Sequence, residues 1–363
     1  MKLKVTQENL NKALSLVARV ANTRGTLPIL GNVLFKVTDN RLSVAATNLD
    51  IAISSYIGAQ IQTESSLTVP ARLLQDFIGG LPSGVIELEQ EDQRLKITTD
   101  SYKSVVNGVS AEDFPVMPAI ESGTSWMVSG PVLRQALGQV LMAASNDEAR
   151  PVLTGVLFKT VDGVLYLAAT DSYRLAEKRL TELQQEVNLL IPANALQDVL
   201  RIIHDYEGDV EVTSDDQQVR FLAGDVELVA RLIEGNYPDY RKLIPAEFAT
   251  SATMDRSELV NIAKISSLFA RESAGSIVVS VDEPSESIWI HAVASQLGEN
   301  NATAKVDAKG TGAITLNSRY LLDGLQAMDG KQVTLGFNGK LEPVKLSDPN
   351  SENYTHIIMP LKS

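Results

Sequence analysis

The chain contains no cysteine, which removes disulfide frameworks, thiolate metal sites and cysteine nucleophiles together and suits a reducing cytosol. Aromatic residues are scarce, at 5% with two Trp, so single-stranded nucleic acid would find few rings to stack on. No apolar run approaches the roughly 18 residues of a membrane span. The opening MKLKVTQENL lacks the apolar stretch of a secretory signal, and a soluble, cytoplasmic protein without membrane contact is expected. The three histidines, His204, His291 and His356, have no second histidine or carboxylate at metal-ligand spacing. Each is expected to be a surface or strand residue, and no metal site is expected. Neither G-x-x-x-x-G-K-[ST] nor G-x-G-x-x-G occurs; Gly310-Thr311-Gly312 precedes a strand pattern rather than a helix and reads as a turn. The pairs Asp147-Glu148 and Asp215-Asp216 stand in polar stretches with no third acid placed by a motif, so they read as solvated. No catalytic constellation and no cofactor site emerges.

What is present is enough apolar material for several cores, 44% of 363 residues. It is organised as a repeat. The segment LPILGNVLFKVTDNRLSVAATNLDIAI from Leu27 matches RPVLTGVLFKTVDGVLYLAATDSYRLA from Arg150, with Phe35 and Phe158 lying 123 residues apart. Pro70 and Pro192 are 122 apart in a second matched pair, and Pro115 and Pro238 are 123 apart in a third. A more diverged third copy opens MDRSELVNIAKISSLFARE, continues through SIVVSV, SIWIHAV and ITLNSRYLLDGLQAM, and ends HIIMPLKS. The copies span 1–120, 125–248 and 252–363. Each reads as two βαβ-type halves, with two helices laid on antiparallel sheet. Pro70 and Pro192 suit a helical first turn. The recurring Ala-Ala-Thr-Asn and Ala-Ala-Thr-Asp read as a structural turn at a strand end.

Charge is distributed unevenly over this pattern. Six helices are expected, over Thr6 to Arg24, Pro70 to Gly80, Ser129 to Ser145, Pro192 to His204, Asp255 to Arg271 and Asn317 to Met328. They carry ten Lys/Arg against six acids, a net of +4, which leaves −17 for the rest of a chain whose total is −13. Lys12 and Arg19 are seven apart, as are Lys264 and Arg271, opposite the apolar stripes. On any single helix this is an ordinary solvated face. Over six, a positive layer on a negative body suits a polyanion held without base readout, and duplex DNA without sequence preference fits best.

Over its whole length the chain resembles the bacterial DNA polymerase III beta subunit family, the beta sliding clamps. The resemblance is carried by T-L-P-I-L-G-N at Thr26 to Asn32, R-P-V-L-T-G-V at Arg150 to Val156, A-T-D-S-Y-R-L-A at Ala169 to Ala176, Y-P-D-Y-R-K-L-I-P at Tyr237 to Pro245, and the ending I-I-M-P-L. It implies an α+β fold of three tandem DNA-clamp domains, two chains closing head to tail into a six-domain ring, helices lining the hole. It implies a processivity factor of the polymerase III holoenzyme rather than an enzyme, with polymerase activity only by complex membership. Implied partners are duplex DNA, a second copy of the chain, the polymerase alpha subunit, the clamp loader delta subunit and other proteins bearing a clamp-binding motif.

Carried over by position, the family's peptide pocket would use Leu153, Thr170, Ser172, Tyr173, Arg174, Leu175, Pro238, Lys242, Leu243, Tyr320, Val344, Ile357, Ile358, Met359, Pro360 and Leu361. Apolar walls would take the anchors of a short linear motif, Arg174 and Tyr320 its polar groups, and Met359 would let the pocket accept several related peptides. Without the family, Ile357 to Leu361 reads as a plain edge strand in which Pro360 is tolerated. Tyr173 stands where His is frequent in the family and Lys242 where Arg is, and a Lys lacks the bidentate fork. The DNA-facing set is expected to be Lys12, Arg19, Arg24, Arg72, Arg134, Arg150, Arg201, Lys264 and Arg271, and the dimer contact Leu268 and Phe269 against the strand around Val106. Two rivals stand beside this reading. One is a nuclease or transferase, against which the missing carboxylate cluster argues; the other is a homodimeric peptide-binding adaptor that never encircles DNA.

Overall fold

A computed structural model of the chain describes residues 1–21, 27–38, 41–296 and 298–362. All six expected helices form, with shorter ends: α1 Gln7–Val17, α2 Ala71–Gly80, α3 Gly130–Val140, α4 Ala193–Ile202, α5 Arg256–Phe269 and α6 Ser318–Ala327. The starts of α1, α5 and α6 follow from side-chain caps that satisfy otherwise orphaned amides. The Thr6 hydroxyl accepts from the Asn9 amide, Asp255 from Ser257 and Glu258, and Asn317 from Arg319 and Tyr320. Pro70 and Pro192 stand one residue earlier than expected, as the last residues of the strands Ser66–Pro70 and Asn188–Pro192. Short 3-10 turns at Leu141–Ala143 and Arg271–Ser273 account for part of the over-long readings of α3 and α5.

The halves of each copy begin strand, helix, strand, but they are not βαβ units in the parallel sense. Among the described residues every strand pair is antiparallel, because the helix carries the chain from one sheet to another. Lys2–Thr6 lies in a five-stranded sheet, and after α1 the strand Asn32–Thr38 lies in an eight-stranded one. After α2 the chain returns, Val85–Glu91 pairing beside Lys2–Thr6. The helices bury one stripe each against this scaffold: Leu10, Ala13, Leu14 and Val17 on α1, Leu133, Ala136, Leu137 and Val140 on α3.

The chain folds as two compact units, Met1–Arg134 with Asn194–Leu232, and Gln135–Ala193 with Ile233–Ser363. The middle copy is therefore divided between them. The cause is strand pairing across the repeat junctions. Val226–Arg231 of the second copy pairs with Ile51–Ile57 of the first, completing the eight-stranded sheet. Arg174–Glu182 of the second pairs with Ser351–Ile358 of the third, completing a nine-stranded sheet.

Each helix pair is fastened by one polar side chain of its first helix reaching the carbonyls at the end of its second. Gln7 Nε2 donates to the Ile78 carbonyl at 2.7 Å. Arg134 Nη1 donates to the carbonyls of Ile203 and His204 at 3.0 and 2.7 Å, and its Nη2 meets Glu207 at 3.1 Å. Arg256 Nη1 donates to Leu325 at 3.0 Å and Nε to Gly330 at 2.7 Å. Two residue types, Gln and Arg, perform one task. Arg256→Met, which keeps the stem and removes both donors, is expected to cost about 2 kcal/mol in denaturant unfolding. An unchanged midpoint would show that water replaces the guanidinium.

Candidate functional site

The basic residues expected to face DNA fall into three groups. Lys12, Arg72, Lys264 and Arg271 are exposed and form no ion pair among the described residues. Arg19 and Arg201 are also exposed but share Asp198, at 3.6 and 2.6 Å. Asp198 itself is half-buried, but both guanidiniums lie at the surface, where an ion pair contributes little and can exchange for a phosphate. Lys12 and Arg201 line one cavity of about 430 Å³ with Tyr56 and His204. Arg134 and Arg150 are also bonded: Arg134, half-buried, to the end of α4, and Arg150, at the surface, to Asp147 at 2.9 Å and the Ser172 hydroxyl at 3.0 Å. Arg24 lies outside the described residues.

The Ala-Ala-Thr-Asn/Asp motif is the turn it was expected to be, and its bonds show why. In the second copy the Thr170 hydroxyl donates to the Arg174 carbonyl at 2.6 Å and accepts from the Ser172 amide at 3.1 Å. Asp171 Oδ1 accepts from the amides of Tyr173 and Arg174, both at 2.9 Å. The first copy repeats this with Thr47 and Asn48, and the residue after the Asx is left-handed in both, Leu49 at φ 79° and Ser172 at φ 77°. The turn is common; the side chain that follows it is not. Ile51 stands in the first copy where Arg174 stands in the second.

Arg174 is held from three sides. Its Nε donates to Asp171 at 3.1 Å, its Nη1 to Asp323 of α6 at 2.5 Å, and its guanidinium lies 4.6 Å over the Tyr320 ring. Beside it is an apolar floor of Leu157, Ala168, Leu175, Leu190, Tyr240 and Ile357, with Val152, Ile233, Tyr237 and Ile244 packed against it. Leu153 is buried, and Val344 and Ile358 have no exposed surface, so these support the floor from beneath. Ser172, Tyr173, Pro238, Lys242 and Leu243 form an exposed rim. The Lys242 ammonium meets Asp239 at 2.7 Å, which raises the lysine's pKa and lowers the carboxylate's. Met359, Pro360 and Leu361 are half-buried and tied by the main chain, Met359 N to the Tyr173 carbonyl at 2.8 Å and Leu361 N to Thr315 at 2.9 Å.

The residues named for the pocket thus come together within the second compact unit. Sequence reasoning missed four that shape it: Asp171, Asp323, and the pair Tyr240 and Glu177. The Tyr240 hydroxyl donates to Glu177 at 2.5 Å and Arg241 to the same carboxylate at 3.0 Å, pinning the 3-10 turn Tyr240–Leu243 to the strand below. Asp171 was signalled by the matching Asn48; nothing in the repeat signals Glu177.

Comparison with known proteins bears on this arrangement. The DNA polymerase III beta subunit family matches in three consecutive parts, its N-terminal domain over residues 1–118, its central domain over 127–239 and its C-terminal domain over 241–362. The chain belongs to the beta sliding clamp family. The beta sliding clamp of Synechocystis sp. is 32% identical, with 100% of this chain and 99% of that protein covered. The Bacillus subtilis clamp is 28% identical with both chains fully covered, and the crystal structure of the DNA polymerase sliding clamp from that organism superposes with a TM-score of 0.96 over 100% of this chain and 99% of the other. The beta subunit structure from Thermotoga maritima, 25% identical, gives 0.93 over 100% of this chain and 99% of its own.

In this clamp two sheet edges carry the residues expected at the dimer contact. Lys103–Asn107 is the edge of the five-stranded sheet; there Val106 is turned inward at 7% exposure and Val105 outward at 56%. Gly298–Lys305 is an edge of the four-stranded sheet, and α5 packs against it, with Leu268 exposed and Phe269 half-buried at its end. No group of three or more metal-ligating residues occurs among the described residues.

The histidines divide. His204 is exposed and His291 lies on a strand bonded to Asn301, whereas His356 is fully buried on the strand Ser351–Ile358. The Tyr354 hydroxyl donates to the Gln139 carbonyl at 3.2 Å, so His356 Nδ1, 3.0 Å away, carries the proton that the hydroxyl accepts. Burial, with Arg174 nearby, lowers the His356 pKa to about 3. The unfolded chain therefore takes up a proton below the ordinary histidine range that the folded chain refuses, and stability falls as pH drops from about 6.5 towards 3. Between pH 7 and pH 5, His356→Gln is expected to lose about 2 kcal/mol less unfolding free energy than the parent chain. Equal losses would mean that His356 is protonated in place.

Proposed function

We propose that this clamp works as a topological tether: two copies close head to tail around duplex DNA and hold a polymerase to it through the pocket beside Arg174. The observation that carries the reading is the repeated junction. The strand that follows the Thr-Asx turn pairs with the last strand of the next copy twice within the chain, Ile51–Ile57 with Val226–Arg231 and Arg174–Glu182 with Ser351–Ile358. The counterparts left over are the edges Gly298–Lys305 and Lys103–Asn107. Pairing these between molecules is the same junction made a third time, and it joins head to tail. Exposed backbone edges favour such a partner. Leu268 and Phe269 would pack at that contact.

On this reading 1–120, 125–248 and 252–363 are the clamp domains, six to a ring. The free cations Lys12, Arg72, Lys264 and Arg271, with Arg19 and Arg201, meet the phosphates weakly and without base readout. Arg134 is left out, its donors being spent on α4. Retention comes from encirclement, so individual contacts stay exchangeable and the ring slides. The pocket takes a short linear motif: its apolar anchors go to the floor around Leu175 and Ile357, its polar groups to Arg174 and the rim. The alpha subunit of the polymerase, the delta subunit of the clamp loader and other motif-bearing proteins are the partners in view. The chain acts in the cytoplasm and catalyses nothing itself.

Clamps loaded on a nicked plasmid circle are expected to leave when the circle is cut and to remain while it is closed; retention on linear DNA would overturn encirclement. Reversing Lys12, Arg19, Lys264 and Arg271 together to Glu is expected to lower polymerase stimulation by about tenfold or more while the dimer mass and peptide binding persist. Full stimulation by that variant would favour an adaptor that never surrounds DNA.

A further inference from the structure

Among the described residues Lys178 is the one buried lysine, and neither clamp function nor stability supplies a role for its ammonium. It lies on the strand Arg174–Glu182, opposite Tyr354 in register, with 9% of its surface exposed. Among the described residues it forms no ion pair and no hydrogen bond. It lines a cavity of about 280 Å³ together with Gln135, Asp329, Asp348, Asn353 and Tyr354. Two carboxylates face that space. Asp329 Oδ2 already accepts from Gln135 at 2.5 Å and Gln139 at 2.9 Å, and the Asp348 carboxylate lies against Gly330.

We propose that Lys178 is an acylation site, a nucleophilic amine served by a cavity that admits a small acyl donor such as an acyl phosphate. A lysine withdrawn from water without a bonded carboxylate gives up its proton more readily than an exposed one, and burial lowers the pKa of Lys178 against the opposing field of Asp329. The neutral amine attacks the carbonyl carbon of the donor, and a C–N bond forms. The carbon–oxygen bond to phosphate breaks, the phosphate leaves with the electron pair, and the nitrogen loses its proton to water. The product is a neutral amide, which removes the positive charge beside Asp329 where α3, the turn after α6 and the junction strands meet.

The intact folded chain is incubated with acetyl phosphate across a pH series, and each lysine is followed by peptide mass mapping. Lys178 is expected to acylate at least about threefold faster than the exposed Lys12 near neutral pH, to reach its limiting rate at lower pH than Lys12, and to lose both distinctions in denaturant. Asp329→Asn, which removes the opposing carboxylate, is expected to quicken it further. Slower modification of Lys178 than of Lys12 in the folded chain, or parallel pH profiles, would overturn the proposal.

Discussion

Antiparallel hydrogen bonding between a strand of one repeat and a strand of the next is the constraint on which the molecule depends. A lone copy of this module would present the outer strands of two sheets, each with a row of unpaired N–H and C=O groups. Within the chain, two junctions, at Ile51–Ile57 and Arg174–Glu182, each join an edge of one copy to an edge of the next. The junctions also decide where side chains can meet. Arg174 ends one junction strand opposite Ile358 and lies beside a helix of the following repeat, so Asp323 and Tyr320 become its neighbours. The pocket is a by-product of continuing a sheet, and it takes its chemistry from the one position where Arg replaces Ile.

The repeat, the six helices and the turn were legible because they rest on local rules that sequence states directly. Helical spacing of Leu10, Leu14 and Val17 predicts a buried stripe, and the recurrence of Ala-Ala-Thr-Asx at a strand end predicts the turn. Membership of a sheet is not local. Nothing in Lys2–Thr6 and Asn32–Thr38 says that α1 moves the chain between sheets, and so the halves looked like βαβ units. Charge counting misjudged individual residues for a similar reason. Arg134 looked like a solvated cation, yet its donors close the end of α4, and Gln7 performs that task in the first copy without any charge. His356 looked like any strand histidine; its complete burial depends on α6 lying over the strand, with Gly324 against its ring.

Electrostatics in this chain separates into two populations. Cations on helix faces remain exposed and exchangeable, whereas Arg174, Arg134 and Arg256 are enclosed by carbonyls, carboxylates or a ring and cannot be released without cost. A surface that must let a polyanion pass needs the first kind. A surface that must recognise a particular peptide needs the second, because a fixed guanidinium offers the same unclaimed donors to every ligand. The weakness of one set and the rigidity of the other are complementary properties of a tether.

The division of the middle repeat has a further consequence for how the chain comes apart. Its α4 half shares hydrogen bonds and core with the first copy and its other half with the third, so the compact units of the fold number two while the repeats number three. Excising residues 125–248 would not liberate a module; it would take four strands from each of two sheets. Duplication wrote the chain in thirds, and strand pairing gathers it in halves.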